Sequence, residues 1–409
     1  MSQSLPRLRM ELDFMPSPVE DRPGLMIRDP FGFSDTTLIV PPALVRVLPH
    51  FDGAHDQSSL REAIYEITGE LRSGELGEKL HTALDQAGFL ENERFDELRR
   101  SAVEGFEASA VREPSHAGSA YPDGKDELET WMAEGMAGSA AGTETAAGGP
   151  LVGIAAPHAS PDGGWASYRS AYRALGDWAK DKTFLILGTS HYGAPDVFGL
   201  TRKQFETPWG TAQTDTGLVD ELARRVPASV RMEDYCHRIE HSIEFQVVFL
   251  QSLFGAGVKI LPVLVGSFGQ AFAEDRRPEQ SETVSSFFDA LGDVRAREAG
   301  NLVCVLGVDM AHMGRRYGDD FPAAPFTGEM SEVERRDRAR IERLEAGDAQ
   351  GFWDLVMENH DDLKWCGSAP LYTFLKTGPA VRGRLRQYEH WPIDDESVVS
   401  FAALTFGPA

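Results

Sequence analysis

Basic residues are in deficit: 40 Lys and Arg stand against 64 Asp and Glu, a formal charge of −24 over 409 residues. Nucleic-acid affinity rests on phosphate neutralisation, so this balance excludes a nucleic-acid partner. It suits a soluble, self-repelling cytoplasmic protein. Cysteine is scarce too. Cys236, Cys304 and Cys366 are an odd set with no C-x-x-C pair, which excludes a disulfide framework and a structural zinc knuckle. No long uninterrupted apolar run occurs. The most apolar window, 247–268, contains Gln251, Gly255, Gly257, Lys259 and Pro262; it reads as helix end, turn and buried strand rather than a membrane span. The opening MSQSLPRLRMELDFMPSP lacks the apolar core of a signal peptide. Three motifs are missing as well. There is no G-x-x-x-x-G-K-[ST] and no strand-anchored G-x-G-x-x-G, and Gly-Thr-Ser-His at 188–191 lacks the second glycine of G-x-S-x-G.

The length predicts two domains. Residues 1–105 form one compositional unit. TTLIVPPALVRVL (36–48) reads as a short strand running into a helix, and DQSSLREAIYEIT (56–68) as a capped helix. LGEKLHTALDQAGFL (76–90) is a helix stopped at Gly88, and FLENERF (89–95) a short strand or wing. Three short helices with a β wing resemble a small winged-helix unit of the PqqD-like, peptide-binding kind; a helical cap on the larger domain is the alternative. Residues 106–409 make the second domain, with 137–150, AGSAAGTETAAGGP, a mobile loop too poor in apolar side chains to order itself.

From 151 onward strands and helices alternate. LVGIAA, TFLILG, VKILPVLVG and NLVCVLGV are near-continuous apolar strands separated by amphipathic helices. They predict an α/β fold: a central, mostly parallel or mixed sheet covered by helices on both faces. RGRLRQYEH and ESVVSFAALTFG predict a final antiparallel pair near an edge.

Ligands of open α/β sheets bind beyond the carboxyl ends of the strands. Three predicted strands each deliver a histidine there: His158 after LVGIAA, His191 after TFLILG, and His312 with Asp309 after NLVCVLGV. His241 opens the helix HSIEFQVVFL, beside Glu240 and three residues before Glu244. One such histidine is ordinarily structural, but four of the chain's 11 at equivalent positions point to a metal or acid–base site. His116 falls in a polar loop, and Cys366, entering the helix LYTFLKT, reads as a buried inert thiol.

Seven segments in order carry a resemblance: GIAAPHAS, ILGTSHYG, ETPWGTAQTD, EHSIEFQVVFLQ, LPVLVG, GVDMAHMG and CGSAPLYTFL. With AGSAYP at 117–122, they resemble the Memo family, whose bacterial members are called AmmeMemoRadiSam system protein B. The resemblance runs from about residue 112 to the end and implies a fold like that of the class III extradiol dioxygenases. It implies metal ligands at His158 and His191, with Fe(II) expected and copper or zinc also suited to imidazole. His241 falls on the acid–base position, oriented by Glu240 or Glu244. The third-ligand position falls on Ala311, which offers no donor; Asp309 or His312 would then substitute for it or support the ligands. The implied activity is a non-haem, dioxygenase-like oxidoreductase working with radical-SAM and Ammecr-type partners. The alternatives are a non-catalytic peptide- or partner-binding scaffold that keeps the pocket, and a metal-free hydrolase using His241 and Glu240.

Overall fold

The computed structural model describes residues 4–19, 21–69, 72–138 and 150–409. They divide into two compact units, Met1–Ala108 and Ser109–Ala409. Most of the predicted loop at 137–150 lies outside the described residues.

The first unit opens with a three-stranded antiparallel sheet of Asp13–Pro16, Leu25–Arg28 and Thr37–Val40. The first two strands, DFMP and LMIR, escape sequence reading because their proline and charged residues leave no apolar run like that of TLIV. The helices Gln57–Thr68 and Ser73–Gln86 follow. The first is capped reciprocally by Asp56 and Ser59. The second ends just before Gly88, which takes φ +70°. The wing expected at FLENERF is a correction. Leu90 makes only an isolated bridge to Leu8, and Glu93–Ala108 is a helix. Asn92 accepts the Phe95 N–H through its side chain, so a capping residue wins over the short apolar run.

The second unit is built on a mixed sheet. Its parallel centre runs Gly153–Ala156, Leu302–Gly307, Thr183–Thr189, Lys259–Val265. Ser397–Pro408 pairs antiparallel with Gly153–Ala156 and is buried along nearly its whole length. Only its partner Val381–Asp394 has the half-exposed pattern of an outer strand. Alternate residues serve opposite faces, as the two-residue strand period requires. Leu185, Leu187, Val263 and Leu306 join one core with the helices Thr216–Arg225, Glu282–Arg297 and Ser368–Thr377. Phe184, Ile186, Val303 and Val305 join the other with Pro161–Tyr172 and His241–Phe254. This is the doubly covered α/β architecture that the apolar strands predict.

The helix His241–Phe254 positions the site. Ser242 through Gln251 are all buried, so it is a core helix, enclosed on every side. Its first turn lies hard against two strand ends. A Cβ on Gly307 would meet the Ser242 carbonyl oxygen at 2.1 Å, and one on Gly188 would meet the Ser242 hydroxyl at 2.6 Å. Only glycine permits that approach.

Candidate metal centre

Three of the predicted histidines converge. The ring centroids of His158 and His191 are 4.9 Å apart, and each lies 5.0 Å from that of His241. One ligand atom from each lies within 4.8 Å of the others. His158 forms the buried floor, 2% exposed, while the side chains of His191 and His241 are 26% and 27% exposed and define an open face.

Each ring is held by its outer nitrogen. The Nδ1–H of His158 donates to the Gly307 carbonyl at 2.9 Å; a carbonyl only accepts, so Nε2 keeps its lone pair. Gln246 and Tyr168 fix the turn below, donating to the carbonyls of Pro157 and Ala159. His191 Nδ1 lies 3.0 Å from Glu240 Oε1 and His241 Nδ1 lies 3.3 Å from the same oxygen. Imidazoles tied through one nitrogen to a carbonyl or carboxylate, with the other nitrogen turned inward, are the usual arrangement around a metal ion. The donor set therefore fits a transition-metal ion.

Glu240 is buried and saturated. It accepts the backbone N–H groups of His191, His241 and Ser242, which makes it the cap of the central helix. Burial opposes its ionisation, but His191 and the hydrogen bonds hold its carboxyl below the usual range. Burial likewise opposes the charge of His191, which Glu240 nevertheless keeps raised well above the ordinary imidazole value. Burial, together with the positive His191, pushes His158 down to about 3. Burial puts His241 well below its ordinary value.

Asp309 lies under His158. Its Oδ1 accepts the N–H groups of His158 and Ala159, and its Oδ2 is 3.6 Å from His158 Nε2. His312 stands beside the group rather than in it. Its Nδ1 is bonded to the Met310 carbonyl and its ring meets Tyr317 edge-on. Ala311 is fully buried and held by Ser400, whose hydroxyl accepts its N–H.

Glu244 does not orient His241. It faces the segment 112–121, pairing with Arg112 and accepting from Ser115, His116 and the Tyr121 hydroxyl. That tether brings in His116, which the sequence reading sets aside: its ring packs on His241 and Phe245, each at 5.6 Å. Cys366 is the second omission. Its Sγ is 3.3 Å from His158 Nε2, so it stands against the histidine cluster. The signal available for both was membership of the quoted segments or their flanks; neither stands at a strand end.

No helix among the described residues is long and apolar enough to cross a membrane. The family model for Memo-like protein matches residues 112–405. A MEMO1 family protein of Aquifex aeolicus is 28% identical over 385 residues, covering 93% of this chain and 95% of that one. That alignment therefore extends into the N-terminal unit. A MEMO1 family protein of Nitrosopumilus maritimus is 26% identical, covering 72% of this chain and 99% of its own length. One from Thermococcus kodakarensis is 29% identical with the same coverage. With two histidines at strand ends, a third opening the central helix and a match over most of its length, the chain belongs to the Memo-like family.

Proposed function

We propose that this protein holds a divalent metal ion, Fe(II) foremost, between His158, His191 and His241 and serves a redox role of the non-haem, dioxygenase-like kind. The observation that carries the reading is the convergence of three imidazoles within 4.8 Å, each with its Nδ1 turned to a carbonyl or carboxylate. Bound there, the ion would supply Lewis acidity and a redox centre with coordination positions left for small molecules.

The chain's own residues do the rest. His158 is locked by Gly307 and shielded from water. His191 is oriented by Glu240, which is a positioning residue and caps the central helix. Since Ala311 has no donor atom, His241 takes a place in the ligand set. His116, its Nδ1 held by Glu244 at 3.0 Å, packs edge-on against His241 at the rim and is placed to carry a proton there. Asp309 supports His158 from beneath.

The cellular reading is a cytoplasmic component of an AmmeMemoRadiSam system, with radical-SAM and Ammecr-type partners and a PqqD-like N-terminal unit that takes a peptide. A second reading, a scaffold that grips an ion or partner without turnover, is favoured by the donor-less Ala311. Anaerobic Fe(II) titration tests the first. One ion per chain, lost in His158→Ala and His191→Ala, is expected; no stoichiometric metal would end it. Oxygen uptake by the loaded protein then separates turnover from scaffolding.

A further inference from the structure

We propose that Asp337, a buried carboxylate outside the histidine cluster, is a positioning residue of the site: it holds Asp309, and through Asp309 the turn that carries His158, by two separate arms. The inference rests on the metal-binding reading above for what the positioning serves, and it names what holds that site from behind.

Asp337 stands where the helix Glu329–Ala346 calls for an apolar side chain. It is fully buried and shares its stripe with Met330, Val333, Ile341 and Leu344. A carboxylate in such a stripe is costly unless it is paired or fully hydrogen-bonded. The buried cation of the same helix, Arg340, gives its guanidinium to Asp361 and the Leu355 carbonyl. Three donors from other elements meet Asp337 instead. Trp365 Nε1–H donates to Oδ1 at 2.7 Å, and the hydroxyls of Ser400 and Tyr388 donate to Oδ2 at 2.5 and 2.8 Å. The Tyr388 proton is directed there by its other neighbour. Phe326 N–H donates to His390 Nδ1 at 3.0 Å, so the proton of that ring sits on Nε2 and faces the Tyr388 oxygen at 2.7 Å. Burial pushes His390 down to about 4, which keeps the ring neutral.

Two of the three donors lead to Asp309. The Ser400 hydroxyl also accepts the Ala311 N–H at 2.9 Å. The Ser400 backbone N–H donates to the Ala311 carbonyl, and its carbonyl accepts the Met310 N–H, both at 2.9 Å. This arm fixes the two residues that follow Asp309. The other arm runs through Trp365. Two residues on, Gly367 N–H donates to the Asp309 carbonyl at 3.0 Å. A Cβ on Gly367 would meet that oxygen at 2.6 Å, so the approach is close. Asp309 in turn accepts the N–H groups of His158 and Ala159 through Oδ1. Both arms end on backbone amides, so they convey position rather than protons.

Amide hydrogen exchange of the full-length, ion-free protein, read by mass spectrometry, tests this. In Asp337→Asn an NH2 group takes the place of one acceptor oxygen. The segments 158–160 and 309–313 are then expected to exchange about tenfold faster, with the strand Lys259–Val265 unchanged. Ser400→Ala cuts one arm without touching the carboxylate and should accelerate the same two segments. Leu222→Ala, a cavity in the core beside the helix Thr216–Arg225, lowers stability without favouring those segments. Isothermal titration with Co(II) should show affinity reduced about fivefold in Asp337→Asn and kept in Leu222→Ala. Parent-like exchange at 158–160 and 309–313 in both Asp337→Asn and Ser400→Ala overturns the inference and leaves the three-histidine site standing. A parent chain that takes up no Co(II) overturns the metal reading, while the exchange rates still decide for or against the positioning role.

Discussion

Replacing Glu244 with Gln tests how the rim of the site is held. The carboxylate is buried, and it faces the fully buried Arg112 and donors from Ser115, His116 and Tyr121. The amide has one acceptor oxygen and an NH2 group that would point into donors. Arg112 would keep only the carbonyls of His237 and Glu240 and the Ser115 hydroxyl. Breaking a buried ion pair from one side costs about 3–5 kcal/mol. At about 2.1 cal/mol/K per residue, the unfolding entropy of the 109–409 unit is roughly 0.6 kcal/mol/K, so the midpoint should fall by about 5–8 °C. Differential scanning calorimetry reads it directly. The same change frees His116, so the pH profile of any turnover should alter while metal stoichiometry is kept. A midpoint within about 1 °C of the parent would show that the segment 112–121 is not held through Glu244.

Gly307→Ala should displace the first turn of the central helix, since its Cβ would meet the Ser242 carbonyl at 2.1 Å. Metal affinity should drop with it, whereas Gly300→Ala, which meets nothing within 4 Å, should leave affinity unchanged by isothermal titration. Asp337 is buried beneath Ser400, Tyr388 and Trp365, and burial raises its carboxyl to about 6 despite their hydrogen bonds. Its folded value lies above its unfolded value of about 4, so its contribution to stability is complete below about pH 4 and is lost as pH rises through 6. Denaturant unfolding of Asp337→Asn should therefore gain on the parent between pH 4 and 6, by at most about 3 kcal/mol; a difference flat with pH would contradict this.

How much of the site was legible follows from where each residue stands in the chain. His158 and His191 were readable because each follows a near-continuous apolar strand, and strand ends in such a sheet share a rim. His241 was readable from its place at the opening of an apolar helix beside a capping carboxylate. His312 shares the strand-end signature, yet its ring turns to Tyr317 because Met310 claims its Nδ1. Glu244 has helical spacing from His241, but spacing alone could not reveal that Arg112, over a hundred residues earlier, would capture it. The wing at 89–95 was misread because a capping asparagine outweighs a two-residue apolar run.

The sequence by itself determined the apolar strands, the helices between them, the acidic surface and the histidines set at strand ends, because these depend on local periodicity and composition. Only the tertiary structure decided that Cys366 and His116 join those histidines. Both arrive on segments distant in the chain, and their places are set by long-range contacts: Gly367 against Asp309, and Glu244 against the segment 112–121. Such contacts leave no local pattern to read. They also decide that a rim with alanine at 311 still has sulfur beside its imidazoles.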